Sequence, residues 1–227
     1  MMKEAKQPFV FYTRLHLQEL TSRKARSLKE LLENIREVSG SVIYHHTHSF
    51  LQRYQSLSPE PPNDFAYWVG EVLGEQKLAE ELASIDTIQF SSIRALRNKL
   101  TQTIASHIRQ MERTGQGQFR VASRQEQFHF VKSISFIFPT PYLAHDLLEF
   151  VEVLKKVTIN SIYFHVFEAK LRLEKSVNDF SFWIDTNLDM PALAEKLARL
   201  DPYTYNLQGL RAKIIDSINN YIKENSK

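Results

Sequence analysis

The chain has 227 residues, with 29 Lys and Arg against 26 Asp and Glu, and a formal net charge of +3. This length suits one large domain or two small ones, and the near balance of charge argues against a nucleic-acid partner. The sequence contains no cysteine, which excludes disulfides, thiolate nucleophiles and cysteine-ligated zinc or iron–sulfur centres.

The amino-terminal residues, MMKEAKQPFV, lack the apolar core that a secretory signal needs. No apolar run approaches the ~20 residues of a membrane-spanning helix. We therefore expect a cytoplasmic protein with no membrane partner.

Each half of the chain opens with apolar residues at alternate positions. Phe9 and Phe11 begin the first such segment, and Phe128 and Phe130 begin the second. A period of two predicts an extended segment. Because a single strand cannot stand alone, the two segments either pair with each other or are helical after all.

The residues that follow have helical spacing. Ser27 and Glu30 have the arrangement of a capping box at the start of the first helix. A second helix carries a cluster of histidines, Asn63 or Asp64 caps a third, and a long last helix covers roughly residues 91–111.

The chain also contains an internal repeat. LKELLENIREVSGSVI at 28–43 aligns without gaps with LLEFVEVLKKVTINSI at 147–162, and NDFAYWV at 63–69 matches NDFSFWI at 178–184. The ordered matches predict a tandem duplication. We place the first repeat at 1–113, a glycine-containing linker at 114–122 and the second repeat at 123–227, packed as one globular unit or as two.

These elements predict a mostly α, all-alpha fold. We expect an internally duplicated helical bundle with pseudo-twofold symmetry, in which each half opens with a short extended segment. The motifs IYHHTHSFL, SPEPPNDFAYWV and LASID resemble those of a bacterial family known as a domain of unknown function. The resemblance covers most of the chain and implies neither an activity nor any catalytic residue.

The segment IYHHTH at 43–48 holds three of the eight histidines. The repeat provides an internal control, because His46 aligns with His165 while His45 and His48 align with phenylalanines. A histidine present in both copies among apolar residues is more typical of a hydrogen-bonded core residue than of a ligand.

His45 and His48 differ in this respect. Their i, i+3 spacing allows both imidazoles to bind one metal ion, with His16 as a third ligand. The other interpretation is a polar, partly exposed helix face. We therefore expect no cofactor, with one divalent transition metal as the alternative.

Other matched residues are candidates for a ligand site. An inward arginine suits an anionic ligand, a tyrosine hydroxyl suits a histidine partner, and a tryptophan serves either the core or ligand stacking. The candidate ligand-binding residues are His46, His165, Arg53, Arg172, Tyr44, Tyr163, Trp68 and Trp183.

No phosphate-binding, dinucleotide-binding, nucleophile-elbow or kinase motif occurs in the sequence. These observations do not identify a reaction. We expect a non-enzymatic cytoplasmic helical module that binds a protein partner or a small ligand. The alternative is a metal-dependent enzyme or metal sensor that uses the histidines of the first repeat.

Overall fold

A computed structural model describes residues 3–48, 63–115, 119–168, 177–200 and 206–225 of the chain. These residues divide into two compact units. The first unit contains residues 16–48 and the described residues between 63 and 134. The second unit contains residues 3–15 and the described residues from 135 onward.

The first half of the chain forms one long strand followed by helices. The elements are β1 (Phe9–Ala25), α1 (Leu28–Glu37), α2 (Gly40–His48), α3 (Asp64–Tyr67), α4 (Gln76–Ala83) and α5 (Ile93–Arg113). A π-helical turn, Trp68–Val72, continues α3, and a 3₁₀ turn, Thr87–Gln89, precedes α5.

The second half follows the same order. Its elements are β2 (Phe128–Ala144), α6 (Leu147–Lys156), α7 (Ile159–Tyr163), α8 (Asp179–Leu188), α9 (Pro191–Ala198) and α10 (Leu207–Asn225). A π-helical turn, Phe164–Glu168, continues α7.

The prediction of an all-alpha helical bundle is wrong. β1 and β2 are each 17 residues long, and they pair with each other in a two-stranded antiparallel sheet. The extended segments are therefore neither short nor helical. Of the two alternatives for these segments, pairing with each other is confirmed and the helical one is wrong. The physical reason is that each strand supplies the backbone hydrogen-bond partner that the other one lacks.

The compact units and the predicted repeats divide the chain differently. β2 begins in the first unit, together with α1 to α5, whereas β1 begins in the second unit, together with α6 to α10. The phenylalanines that open each strand are buried, and most of the side chains that end it are exposed. Each set of helices thus packs against the start of the strand from the other half of the chain.

In each unit these phenylalanines belong to the hydrophobic core. Phe128 stacks on Phe65 of α3 at 5.3 Å, and in the second unit Phe9 lies 5.5 Å from Phe180 of α8. Burial of aromatic side chains of this size is a major source of folding free energy. The opening of each strand is therefore an integral part of the core that it joins.

The helix starts follow their local sequence. Ser27 Oγ accepts from the N–H of Glu30, and Asn63 Oδ1 accepts from the N–H of Ala66, which confirms both predicted caps. The carboxyl end of α1 is held by Arg97 of α5, which donates to the carbonyl of Val38. Within the described ranges, no helix has both the length and the apolar character needed to cross a bilayer.

Candidate functional site

The IYHHTH segment lies on α2, and His46 within it is 4% exposed. Its Nδ1 lies 2.8 Å from Oδ2 of Asp64, the first residue of α3. Its Nε2 accepts a 2.9 Å hydrogen bond from the backbone N–H of Val131 in β2. Since Nε2 is an acceptor, the proton of the neutral ring is on Nδ1 and is donated to Asp64.

The second unit contains the same arrangement. Nδ1 of His165 lies 2.9 Å from Oδ2 of Asp179, and Nε2 accepts from the backbone N–H of Tyr12 in β1 at 2.9 Å. His165 is 1% exposed. Both matched histidines therefore connect a helix start to the backbone of a strand, a position that agrees with a hydrogen-bonded core residue.

A carboxylate–histidine pair resembles the orienting part of a catalytic triad. In a triad, however, the second ring nitrogen is available to take a proton from a nucleophile. Here the lone pair of Nε2 is used by a backbone N–H in both units. His46 and His165 therefore cannot act as general bases without first releasing the strand.

His45 and His48 are buried, each with 3% of its surface exposed. The prediction of a partly exposed polar helix face, which the sequence analysis preferred to a metal site, is therefore wrong, because tertiary packing covers this side of α2. Thr47 Oγ1 lies 2.7 Å from Nδ1 of His48, and burial lowers the pKa of His48 to about 3. His48 is thus a neutral imidazole at physiological pH.

The third proposed metal ligand, His16, lies in β1. Its ring is parallel to that of His45 with the centroids 6.3 Å apart, and its Nε2 lies 2.9 Å from Oγ of Ser133. The three histidines proposed as ligands are thus all in the first unit. Within the described ranges they do not form a group whose ligand atoms lie within 4.8 Å of one another.

A different group in the described part of the chain meets that criterion. It consists of His45, His46 and Asp64. If Nδ1 of His46 bound a metal ion, the neutral ring would carry its proton on Nε2, where it would oppose the N–H of Val131. The His46 position is therefore better suited to holding the strand than to binding metal.

The two candidate tyrosines stack on different partners. Tyr44 is nearly parallel to the ring of His48 at 4.9 Å. Tyr163 stacks on Phe167 at 5.0 Å with the rings inclined by 28°, and it lies under the guanidinium of Arg14 at 4.3 Å. The candidate arginines Arg53 and Arg172 lie outside the described residues.

The two tryptophans bond to backbone that leads into a strand. The indole N–H of Trp68 donates to the carbonyl of Glu126 at 2.7 Å, and that of Trp183 donates to the carbonyl of Gln7 at 2.8 Å. Glu126 lies two residues before the start of β2, and Gln7 lies two residues before the start of β1. Both side chains thus help to position the strand that the unit receives.

One buried polar cluster, around Arg14, is not evident from the sequence. The side chain of Arg14 in β1 is fully buried and pairs with Glu168 at 2.6 Å, with Ser135 Oγ at 3.4 Å. The available sequence signal was the alignment of the two repeats, in which Arg14 of the first repeat stands opposite Ser133 of the second. Its burial could not be inferred, because the inward phase of β1 changes between Phe11 and Arg14.

Comparison with known proteins places this arrangement in a family. The model of a family described as "Family of unknown function (DUF5752)" matches residues 6–219. The solved structure of OrfY from Thermoproteus tenax is similar, with 30% sequence identity over 96% of each chain and a TM-score of 0.80. Among curated proteins no match was found. The chain therefore belongs to the DUF5752 family, a family of unknown function.

Proposed function

We propose that this protein is a non-enzymatic, cytoplasmic protein-binding module that arose by tandem duplication. Its partner docks on the outward face of the sheet, in the part of the sheet that belongs to the second unit. The observation that carries the proposal is the exposure of three large apolar side chains there. Leu15, Phe136 and Phe138 are 52%, 48% and 48% exposed. We call these three residues the outward patch.

Strand geometry places the outward patch on one face. Arg14 is buried and donates to Ser135, so these two side chains share the face toward the helices. Successive side chains of a strand point to opposite faces. Leu15 and Phe136 therefore point away from the helices, and Phe138, two residues on, points the same way.

The chemistry of the strand favours an uncharged protein surface as the partner. Residues 134–144, ISFIFPTPYLA, contain no charged side chain. Charged side chains and prolines both protect exposed strands against association, and of these two this run has only prolines. A run of this kind on the surface supports a docking role for an apolar partner.

The mode of docking is face-to-face packing rather than strand addition. Pro139 and Pro141 lack the backbone N–H that an added strand would need from β2. The non-enzymatic part of the proposal is supported separately by His46 and His165, whose ring nitrogens are both engaged.

Site-specific photo-crosslinking tests the proposal. Benzoylphenylalanine at position 138 of the full chain should give an adduct with one partner protein in cells. The same group at position 182 should not, although Phe182 of α8 is also exposed, at 41%. Adding Phe136→Ser should abolish the adduct at 138 without a large change in melting temperature.

Three results would overturn the proposal. The first is an adduct at position 138 that consists of two copies of this chain. The second is an equal yield of adduct at positions 138 and 182. The third is the absence of any adduct at position 138. Mass spectrometry of the crosslinked peptides distinguishes the first result from capture of a different protein.

A further inference from the structure

A polar cleft of about 390 Å³ lies in the first unit, between the carboxyl end of α4 and the middle of α5. Small-molecule sites commonly have volumes of about 300–1,000 Å³. Its lining includes Glu81, Asp86, Phe90 and Lys99. None of them belongs to the histidine pairs or to the outward patch.

The charges of the cleft are of opposite sign and lie on different elements. Glu81 is on α4 and Asp86 follows that helix, whereas Lys99 is on α5. Within the described ranges, neither Glu81 nor Lys99 makes an ion pair or a side-chain hydrogen bond with another residue. The two charges therefore line one cleft without neutralising each other.

The remaining lining is partly apolar. Ile85 is 7% exposed, and Phe90 is half-buried and packs against the core of the unit. The cleft thus combines an aromatic wall with one basic and two acidic side chains.

We infer that this cleft binds a small zwitterion of the amino-acid class, with an ammonium group, a carboxylate and an aromatic or apolar side chain. The ammonium group pairs with Glu81, and the carboxyl end of α4 adds the negative end of the helix dipole. The carboxylate pairs with Lys99. The apolar side chain packs on Phe90, since aromatic rings favour offset or edge contacts.

The predicted second repeat lacks this combination. At the position of Glu81 it has Lys196, while the position of Lys99 is occupied by Lys213. An ammonium group would meet a like charge there. The amino-acid site is therefore confined to the first unit, and the second repeat supplies the control position.

The experiment uses ¹⁵N-labelled full-length protein and three probes that share a phenyl ring. L-Phenylalanine carries both charges, phenethylamine carries only the ammonium group and 3-phenylpropionate carries only the carboxylate. We expect L-phenylalanine to shift the amide signals of residues 84–90 and to bind at least about fivefold more tightly than either single-charge probe.

Substitutions locate the binding. Glu81→Gln and Lys99→Met should each weaken binding of L-phenylalanine at least about fivefold, whereas Lys213→Met should leave it unchanged. Glu81 and Lys99 are exposed, so the melting temperature of each variant should remain close to that of the natural protein. No saturable shift, unchanged binding in both variants, or phenethylamine binding as tightly as the amino acid would each overturn the inference.

Discussion

The backbone N–H of Tyr12 donates a 2.9 Å hydrogen bond to Nε2 of His165, which lies 153 residues later in the chain. Asp179 holds the other nitrogen of the same ring. In the first unit, Val131, His46 and Asp64 make the equivalent contacts. The histidine present in both halves of the chain is therefore a connector between helix and strand.

This role predicts a large cost for removing the ring. His165→Ala should lower the free energy of unfolding by about 2–4 kcal/mol, because it leaves the Tyr12 N–H and the Asp179 carboxylate without their partner and opens a cavity. Urea denaturation followed by circular dichroism measures the change. His46→Ala should behave alike.

His145→Ala is the matched control. His145 pairs with Glu149, but both side chains are more than half exposed, at 52% and 53%. Exposed pairs of this kind contribute little to stability, so this substitution should cost much less than His165→Ala. Equal costs at positions 145 and 165 would show that the strand connection contributes little to stability.

The stability of the protein should fall as the pH drops from 6.5 toward 3. Burial lowers the pKa of His48 to about 3, so in this range the unfolded state binds a proton that the folded state does not. Each pH unit removes up to about 1.4 kcal/mol from this source. Denaturation midpoints measured between pH 7 and 5 avoid most of the titration of carboxylates.

His48→Phe provides the control for this pH dependence. The second repeat has Phe167 at the aligned position, where the ring is also buried and stacks on a tyrosine. We expect this variant to fold and to lose less stability than the natural protein between pH 7 and 5. An identical slope in both proteins would contradict the assignment to His48.

Because Arg14 and Glu168 form a buried ion pair, we expect substitutions at the two positions to lower the free energy of unfolding strongly and non-additively. Arg14→Met leaves the carboxylate of Glu168, whose side chain is 14% exposed, without its guanidinium, and should cost about 3–5 kcal/mol. The double variant Arg14→Met with Glu168→Gln should recover part of this loss. Chemical denaturation of the four proteins of the cycle gives the coupling free energy.

Lys132→Met is the exposed counterpart of that experiment. Lys132 lies 3.6 Å from Glu19, with 41% and 54% of the two side chains exposed. Its loss should cost no more than about 1 kcal/mol. A comparable cost for Lys132→Met and Arg14→Met would mean that burial of the arginine pair is not what matters.

Metal content tests the alternative use of the histidines. We expect untagged, dialysed protein to contain no stoichiometric zinc, iron, manganese or nickel. Within the described ranges, His16, His45 and His48 do not bring their ligand atoms within 4.8 Å of one another, and both ring nitrogens of His46 are engaged. Elemental mass spectrometry measures this directly. One equivalent of metal that disappears in His45→Phe, which copies the second repeat, would instead support a metal site.

Local sequence was sufficient where the determining contacts are local. The caps at Ser27 and Asn63 follow from side chains that bond three residues ahead. The alternation at Phe9 and Phe128 indicated extended backbone for the same reason, since it reports on neighbouring side chains. The same alternation left pairing of the two segments and a helical structure both open, so the prediction of an all-alpha bundle failed when the segments paired.

The histidines show the same limit. That His46 is a core residue could be inferred from its match with His165 and its apolar neighbours. That its partners are Asp64 and Val131 could not, because these lie 18 and 85 residues away. The burial of His45 and His48 was missed because helical spacing identifies a face without showing what covers it.

By itself, the sequence determined the helix starts, since these depend on contacts within a few residues. It indicated an extended opening for each half without excluding a helical one. The tertiary structure alone decided that each strand begins against the helices of the other half. It also decided which polar groups are buried, because burial depends on elements far apart in the chain. The roles of His165, Arg14 and Trp183 follow from that packing.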